Sequence, residues 1–122
     1  MLTITLPLPH KLLSPNQTPH PVVFRRLKRK ARGDAQIAAL VALQTAGMAD
    51  SPRWTAVTVE CRVYCTTQRR RDADNFTASM KAAMDGLTDA GIWTDDSVVR
   101  PLAPVFGIDK QQPRVEVVVR PL

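Results

Sequence analysis

Residues 57 to 65 read VTVECRVYC and have the clearest strand pattern in the chain. Valine or cysteine occupies every second position and alternates with polar residues, which is the pattern of a strand with one buried face. Cys61 and Cys65 lie four residues apart on that face, too far from each other for an ordinary disulfide. We therefore predict a core face and a polar face, with the two cysteines as small buried hydrophobic residues rather than metal ligands.

A helix is predicted before this strand, from about Val22 to Ala46. Its second half has apolar residues and alanines at helical spacing, and Gly47 supplies a stop. Gly33 and Asp34 leave two possibilities open, because Asp34 is also able to cap a new helix. The basic run before Gly33 is then either the first turns of one long helix or an arm that precedes a shorter one.

A second helix is predicted after the strand, from about Asn75 to Ala90, with Gly91 at its end. Its apolar residues fall on one stripe at the spacing of a helix. They are Phe76, Met80, Ala83, Met84 and Leu87. This stripe is expected to pack on the sheet.

The remaining strands are predicted from the same alternation near the two ends of the chain. They span Leu2 to Leu8, Ser97 to Phe106 with interrupting prolines, and Arg114 to Arg120, while prolines make residues 9–21 a loop. The expected fold is a single α/β (α+β) domain over residues 1–122. It is a two-layer sandwich, in which two helices cover one face of a mixed sheet of about four strands, in the order β-α-β-α-β-β.

The net charge of +6, from 17 basic and 11 acidic side chains, favours a polyanionic partner. Over half of the positive charge lies in two short segments, and such runs are either solvated surface or a binding site for a nucleic-acid backbone. The candidates for DNA binding are Arg25, Arg26, Lys28, Arg29, Lys30, Arg32, Arg69, Arg70 and Arg71. The apolar stretches are shorter than the roughly 18 residues of a membrane span and no signal peptide is recognisable, so a cytoplasmic protein without membrane contacts is expected.

The segment RRRDADN at residues 69–75 lies where the central strand ends and the second helix begins, and Asp95-Asp96 follows that helix. If Asp72 and Asp74 are extended, their carboxylates point to the same side, and the helix can bring the later aspartates near them. Two carboxylates at about 4 Å repel by about 4 kcal/mol if the effective dielectric constant is about 20. Mg²⁺ removes this cost, and arginines beside an acidic metal site suit an enzyme that acts on phosphodiester bonds.

Each of these residues also has a purely structural interpretation. Asp74 or Asn75 is a suitable helix N-cap, Asp72 is able to pair with an arginine, and the later aspartate pair is typical of a solvated turn. For Lys81, the alternatives are a salt bridge to Asp85 one helical turn later and stabilisation of charge on a phosphate. The residue types alone leave both interpretations open.

The string RRRDADN, the helix that holds Lys81 and MDGL, and the string AGIWTDDS together resemble the RusA family of Holliday-junction resolvases. The resemblance is close over Arg69 to Ser97 and weaker for ITLPLPHKLLSPN near the N-terminus. It implies a bacterial or phage-encoded homodimer that acts in DNA recombination and repair. Such an enzyme binds branched DNA, the four-way junction, and nicks two opposing strands symmetrically with Mg²⁺ or Mn²⁺ as cofactor.

By motif position, the family's catalytic and metal-binding acids correspond to Asp72, Asp74 and Asp96, and its catalytic lysine corresponds to Lys81, with Asp95 ranked below them. Compared with the spacing in the family, about three additional residues separate Asp74-Asn75 from Lys81 here. If these residues lie inside the helix, they move the lysine by about 4.5 Å along the helix axis and about 60° around it. Two alternatives remain open from the residues themselves. One is a metal-dependent nuclease acting on other branched DNA, and the other is a basic module that binds nucleic acid without cutting it.

Overall fold

Within residues 1–48, 50–68 and 71–122, which the computed structural model describes, five strands form a mixed sheet. The strands are β1 (Leu2–Leu6), β2 (Val57–Cys65), β3 (Val99–Pro101), β4 (Val105–Ile108) and β5 (Arg114–Pro121). β2 lies at the centre, antiparallel to β5 on one side and parallel to β3 and β4 on the other. β1 pairs antiparallel with the far side of β5. The mixed sheet with its helices confirms the predicted α+β class.

The alternation in β2 directs its valines into the core, as predicted. Val57, Val59 and Val63 are each at most 3% exposed. In the register with β5, Val59 lies opposite Val119 and Val63 opposite Val115, so apolar side chains of neighbouring strands cover one another. The same core cluster includes buried residues of the helices, which therefore pack on this face of the sheet.

The two cysteines of β2 are free thiols, with Cys65 buried and Cys61 half-buried. Burial, and to a lesser extent the charge of Glu60, raises the pKa of the Cys61 thiol to about 11. Cys65 is therefore the small buried residue that was predicted, whereas Cys61 is only half-buried. The other face of the strand is polar, where Arg62 Nε donates to Glu60 Oε1 at 2.9 Å.

The first helix, α1 (Pro21–Thr45), is one continuous helix. It begins there because His20 caps it, with Nδ1 accepting from the backbone N–H of Val22 at 3.1 Å, and because proline is suited to the first position. The possible break at Gly33-Asp34 does not occur, since Asp34 accepts from Lys30 one turn earlier at 2.6 Å within the helix. The basic run is thus the first part of a long helix. No helix in the described part of the chain is long and apolar enough to cross a membrane.

The predicted second helix is divided into α2 (Ala73–Ser79) and α3 (Lys81–Asp89). At Met80 the backbone N–H lies 3.1 Å from the carbonyl of Phe76 and 3.2 Å from that of Thr77, so the chain tightens locally before the helix resumes. Met80 and Leu87 are buried, and the rest of the predicted stripe packs against the core at partial exposure. The stripe was therefore predicted correctly, and the division at Met80 was not.

Helices α1 and α3 cross in close contact at Gly86. A Cβ atom at Gly86 would lie 2.2 Å from the carbonyl oxygen of Arg32 and 2.9 Å from the Cβ of Ala35. The Arg32 guanidinium forms a two-point ion pair with Asp89 across the same contact, at 2.5 and 2.8 Å. The absence of a side chain at position 86 lets the two helices approach.

The strand predicted over Ser97 to Phe106 is instead a short 3-10 turn, Asp96–Val98, followed by β3 and β4. Pro101 ends β3 and Pro104 precedes β4, because proline lacks the N–H that a continuous strand needs. Both short strands pair in parallel with the long β2, one near its start and one near its end. The sheet therefore has five strands where about four were expected.

Candidate active site

The first two candidate acids lie at the start of α2. Asp72 is the N-cap, and its Oδ1 accepts from the backbone N–H of Asn75 at 3.0 Å. Asp74 lies in the first turn, where a carboxylate is favoured by the helix dipole. The cap is therefore Asp72 rather than Asp74 or Asn75, and the two aspartates belong to a helix start rather than to an extended strand. Both side chains are exposed.

Lys81 connects α3 to the later acidic segment. Its Nζ donates to Asp85 Oδ1 at 2.7 Å, so the salt bridge that was one of the two alternatives for Lys81 is present, and Nζ lies 3.6 Å from Asp96 Oδ2. The hydrogen bond to Asp85 raises the pKa of Lys81, so the ammonium group stays charged at neutral pH. Lys81 lies within reach of Asp96 although additional residues precede it.

Two residues that sequence reasoning missed hold the carboxylate of Asp96. Thr88 Oγ1 donates to Asp96 Oδ1 at 2.7 Å, and the Trp93 indole Nε1 donates to Thr88 Oγ1 at 2.7 Å. Trp93 is only 1% exposed, so this end of the chain of hydrogen bonds is fixed in the core. A sequence signal was present, since Thr88 follows Lys81 by two helical turns and shares its side of the helix.

The neighbouring carboxylate, Asp95, has a local role. It accepts from the backbone N–H of Ser97 at 2.7 Å and from the Ser97 hydroxyl, and these bonds lower the pKa of Asp95. Asp95 thus caps the short 3-10 turn. Of the aspartate pair, Asp96 is the one directed toward Lys81.

The described residues contain no group of three His, Cys, Asp or Glu side chains placed to hold a metal ion. Asp96 and Asp85 each contact Lys81, whereas Asp72, Asp74 and Asp96 do not form one ligand cluster. The donor chemistry nevertheless fits a magnesium ion, because carboxylate oxygens are its preferred protein ligands and one or two often suffice beside waters and a substrate phosphate. Oδ2 of Asp72 also makes no hydrogen bond within the described ranges.

The candidate DNA-binding residues of α1 divide into two groups. The free cations are exposed and have no ion pair among the residues that the structure describes: Arg25, Arg26, Lys28 and Arg29. Lys30 is paired with Asp34, and Arg32 with Asp89. These four cations lie in the first turns of α1, and we call this helical segment, Arg25 to Arg29, the basic arm.

The arginines that precede α2 form the other candidate group. The Arg71 guanidinium donates to the backbone carbonyl and the hydroxyl of Thr67, at 3.2 and 3.3 Å. Arg69 and Arg70 lie outside the described residues.

Two clefts that share Lys81 and Asp85 lie side by side between the basic arm and Asp96. One, of about 230 Å³, separates Phe24 and Lys28 of α1 from Lys81 and Asp85. Lys28 Nζ lies 5.0 Å from the centre of the Phe24 ring at its wall. The other, of about 200 Å³, runs from Lys81 and Asp85 to Asp96. Lys81 therefore lies between the cationic arm and the carboxylate of Asp96.

A charged lysine held between two carboxylates, next to a cationic helix, defines a site suited to a phosphate-bearing polyanion. The chain belongs to the RusA family: the family model described as Endodeoxyribonuclease RusA matches residues 25–120. This family comprises endonucleases that resolve Holliday junctions, which confirms the resemblance predicted from the motifs. The weaker resemblance near the N-terminus lies before the matched residues. No curated protein matches the chain.

Proposed function

We propose that this protein is a divalent-metal-dependent endonuclease that resolves Holliday junctions by paired symmetric nicks, and that it acts in DNA recombination and repair. The observation that carries the proposal is the position of Lys81, within 3.6 Å of Asp96 and between the clefts that lead to the basic arm. Membership of the RusA family supports the choice of a DNA substrate.

The chain's own residues have distinct roles in this proposal. Lys81 stabilises the negative charge that builds on the phosphate in the transition state, and Asp85 holds the lysine by its 2.7 Å hydrogen bond. Asp72, Asp74 and Asp96 would hold Mg²⁺, or Mn²⁺ in its place. When bound, the ion supplies charge neutralisation and lowers the pKa of a bound water.

The basic arm holds the DNA backbone in this proposal. Arg25, Arg26, Lys28 and Arg29 have exposed charges that are not neutralised by a described carboxylate, so they are suited to replacing counterions on phosphates. Lys30, Arg32 and the arginines at 69–71 remain candidates for the same role. For Lys30 and Arg32, contact with DNA requires exchange of an existing ion pair.

A homodimer completes the proposal, because two symmetric cuts on a four-way junction require two sites related by a two-fold axis. We expect the enzyme to work in the cytoplasm of a bacterium, encoded by the host or by a phage. Sedimentation of the protein alone and with junction DNA measures the dimer directly.

The deciding experiment compares a synthetic four-way junction with flapped, forked and linear duplex DNA of matched sequence, in Mg²⁺ or EDTA. The enzymes are the wild type, Asp72→Asn and, as a control of the same charge change, Asp50→Asn, since Asp50 is exposed and lies outside the site. Metal-dependent paired nicks in the junction, lost in Asp72→Asn and retained in Asp50→Asn, are expected. Equal cutting of flaps or forks would contradict junction specificity, and tight binding without cutting at any metal concentration would contradict the nuclease.

A further inference from the structure

Trp93, Thr88 and Asp96 form a chain of hydrogen bonds in which the Trp93 indole donates to the Thr88 hydroxyl and the hydroxyl donates to the Asp96 carboxylate. We infer that Thr88, anchored by Trp93, is a positioning residue that presents Oδ2 of Asp96 to the substrate and its metal ion. The inference rests on the proposed function, because it assigns no new reaction and explains how one acid of that site is oriented.

Trp93 is the fixed end of this chain. Its side chain is 1% exposed, and the backbone next to it is tied to Trp54, whose carbonyl accepts from the N–H of Thr94 at 3.0 Å. An indole N–H can only donate, and a buried donor needs an acceptor. Thr88 Oγ1 supplies that acceptor at 2.7 Å.

Thr88 can donate only one proton, and it has two possible acceptors. The carbonyl of Met84 lies at 3.3 Å, whereas Oδ1 of Asp96 lies at 2.7 Å. The shorter bond to a charged oxygen is the stronger of the two. The hydroxyl proton is therefore directed to Asp96, while the hydroxyl oxygen accepts from the Trp93 indole.

The consequence for Asp96 follows from its exposure. Its side chain is 60% exposed, and an aspartate at that exposure ordinarily samples several rotamers. Here Oδ1 is held on the protein side by Thr88, which leaves Oδ2 facing Lys81 at 3.6 Å, in the cleft that Pro101 also lines. One carboxylate oxygen is therefore an anchor and the other is available for a ligand.

Thr88→Val tests the inference, because valine keeps the shape of the side chain and removes the hydroxyl. We expect kcat for junction cleavage to fall by about tenfold to a hundredfold, with KM and DNA affinity little changed, and Mn²⁺ binding to the DNA-free protein to weaken by a similar factor in titration calorimetry. Thr88→Ser restores both values, because serine keeps the hydroxyl. Thr45→Val is the matched control, since within the described residues the Thr45 hydroxyl donates to the Val41 carbonyl of α1 and to no other group.

A role through Asp96 also predicts non-additivity. In the Asp96→Asn background, Thr88→Val should not weaken Mn²⁺ binding further. Additive losses, or a serine variant as impaired as the valine variant, would overturn the inference in favour of a purely structural role. Should Thr88→Val fail to fold by circular dichroism because the Trp93 indole loses its acceptor, Thr88→Val combined with Trp93→Phe supplies the same comparison, since phenylalanine has no N–H to satisfy.

The two proposals fail in different ways. If Asp96→Asn cuts junctions at the wild-type rate and binds Mn²⁺ equally well, the assignment of Asp96 to the site is wrong, and the positioning role falls with it. If Asp96→Asn is inactive while Thr88→Val has wild-type kcat and Mn²⁺ affinity, the proposed function stands and the positioning role alone is refuted.

Discussion

Among the glycines of the chain, Gly86 is the one at which an added methyl group would meet the closest neighbouring atom. In Gly86→Ala the added Cβ would lie 2.2 Å from the carbonyl oxygen of Arg32 and 2.9 Å from Ala35 Cβ. Because the nearer atom belongs to the backbone of α1, no side-chain rotation relieves the contact and the helices must move apart. Overpacking of a tight contact costs about 1–3 kcal/mol, and alanine's better helix propensity returns up to about 1 kcal/mol. The overpacking cost should lie near the upper end of its range, because the backbone of α1 cannot move aside as a side chain can. We therefore expect the free energy of unfolding to fall by about 2 kcal/mol in total.

The matched control is Gly33→Ala, which adds the same methyl group to α1. Nothing lies within 4 Å of the place that a Cβ atom at Gly33 would occupy, so only helix propensity changes, and stability should rise by about 0.5–1 kcal/mol. Urea unfolding followed by circular dichroism measures both variants, with Tm shifts of about −8 °C and +3 °C at about 4 °C per kcal/mol. A Gly86→Ala protein as stable as the wild type would refute the close crossing of the helices.

Four further predictions concern the site and the sheet. Lys81→Met should lower kcat by about a hundredfold at unchanged junction affinity, measured by single-turnover cleavage and by gel shift. Arg29→Gln should reduce the slope of log affinity against log salt concentration by about 0.9, whereas Lys110→Gln, in the exposed turn before β5, should leave it unchanged. Asp72→Ala should lose about 1 kcal/mol of stability with the cap, while Asp72→Asn keeps it, so that lost cleavage in the latter is not a folding effect. Burial raises the pKa of the Cys61 thiol from about 9.0 in the unfolded chain to about 11 in the folded protein. The folded state therefore favours the protonated thiol, and the stability of the fold that depends on this preference is fully present below pH 9 and lost as the pH rises to 11. Unfolding free energy should fall by about 3 kcal/mol over that range, more than in Cys61→Ala.

Local periodicity made much of the fold predictable. The alternation over residues 57–65 identified the central strand, and the helical spacing of Lys81 and Asp85 made their salt bridge one of two alternatives, which the structure contains. These patterns are reliable because the repeat of a strand or helix decides which side chains share a face. The motif from Arg69 to Ser97 likewise identified the family.

Capping and helix division were less predictable, because several arrangements satisfy the same local preferences. Asp72, Asp74 and Asn75 are all good N-caps, and the structure shows that α2 begins after Asp72. The additional residues before Lys81 fit either a longer helix or a tightened turn, and packing of Met80 in the core accompanies the second.

The sequence by itself determined the class of fold, the family and the residue types of the site, since these follow from periodicity and from motifs within short segments. Only the tertiary structure decided which charges remain free. Arg32 is withdrawn into a pair with Asp89, 57 residues away, and Asp96 is oriented by Thr88 and Trp93. Such contacts depend on how the crossing of helices and the turn after α3 rotate side chains toward one another, and no local repeat in the chain encodes that rotation.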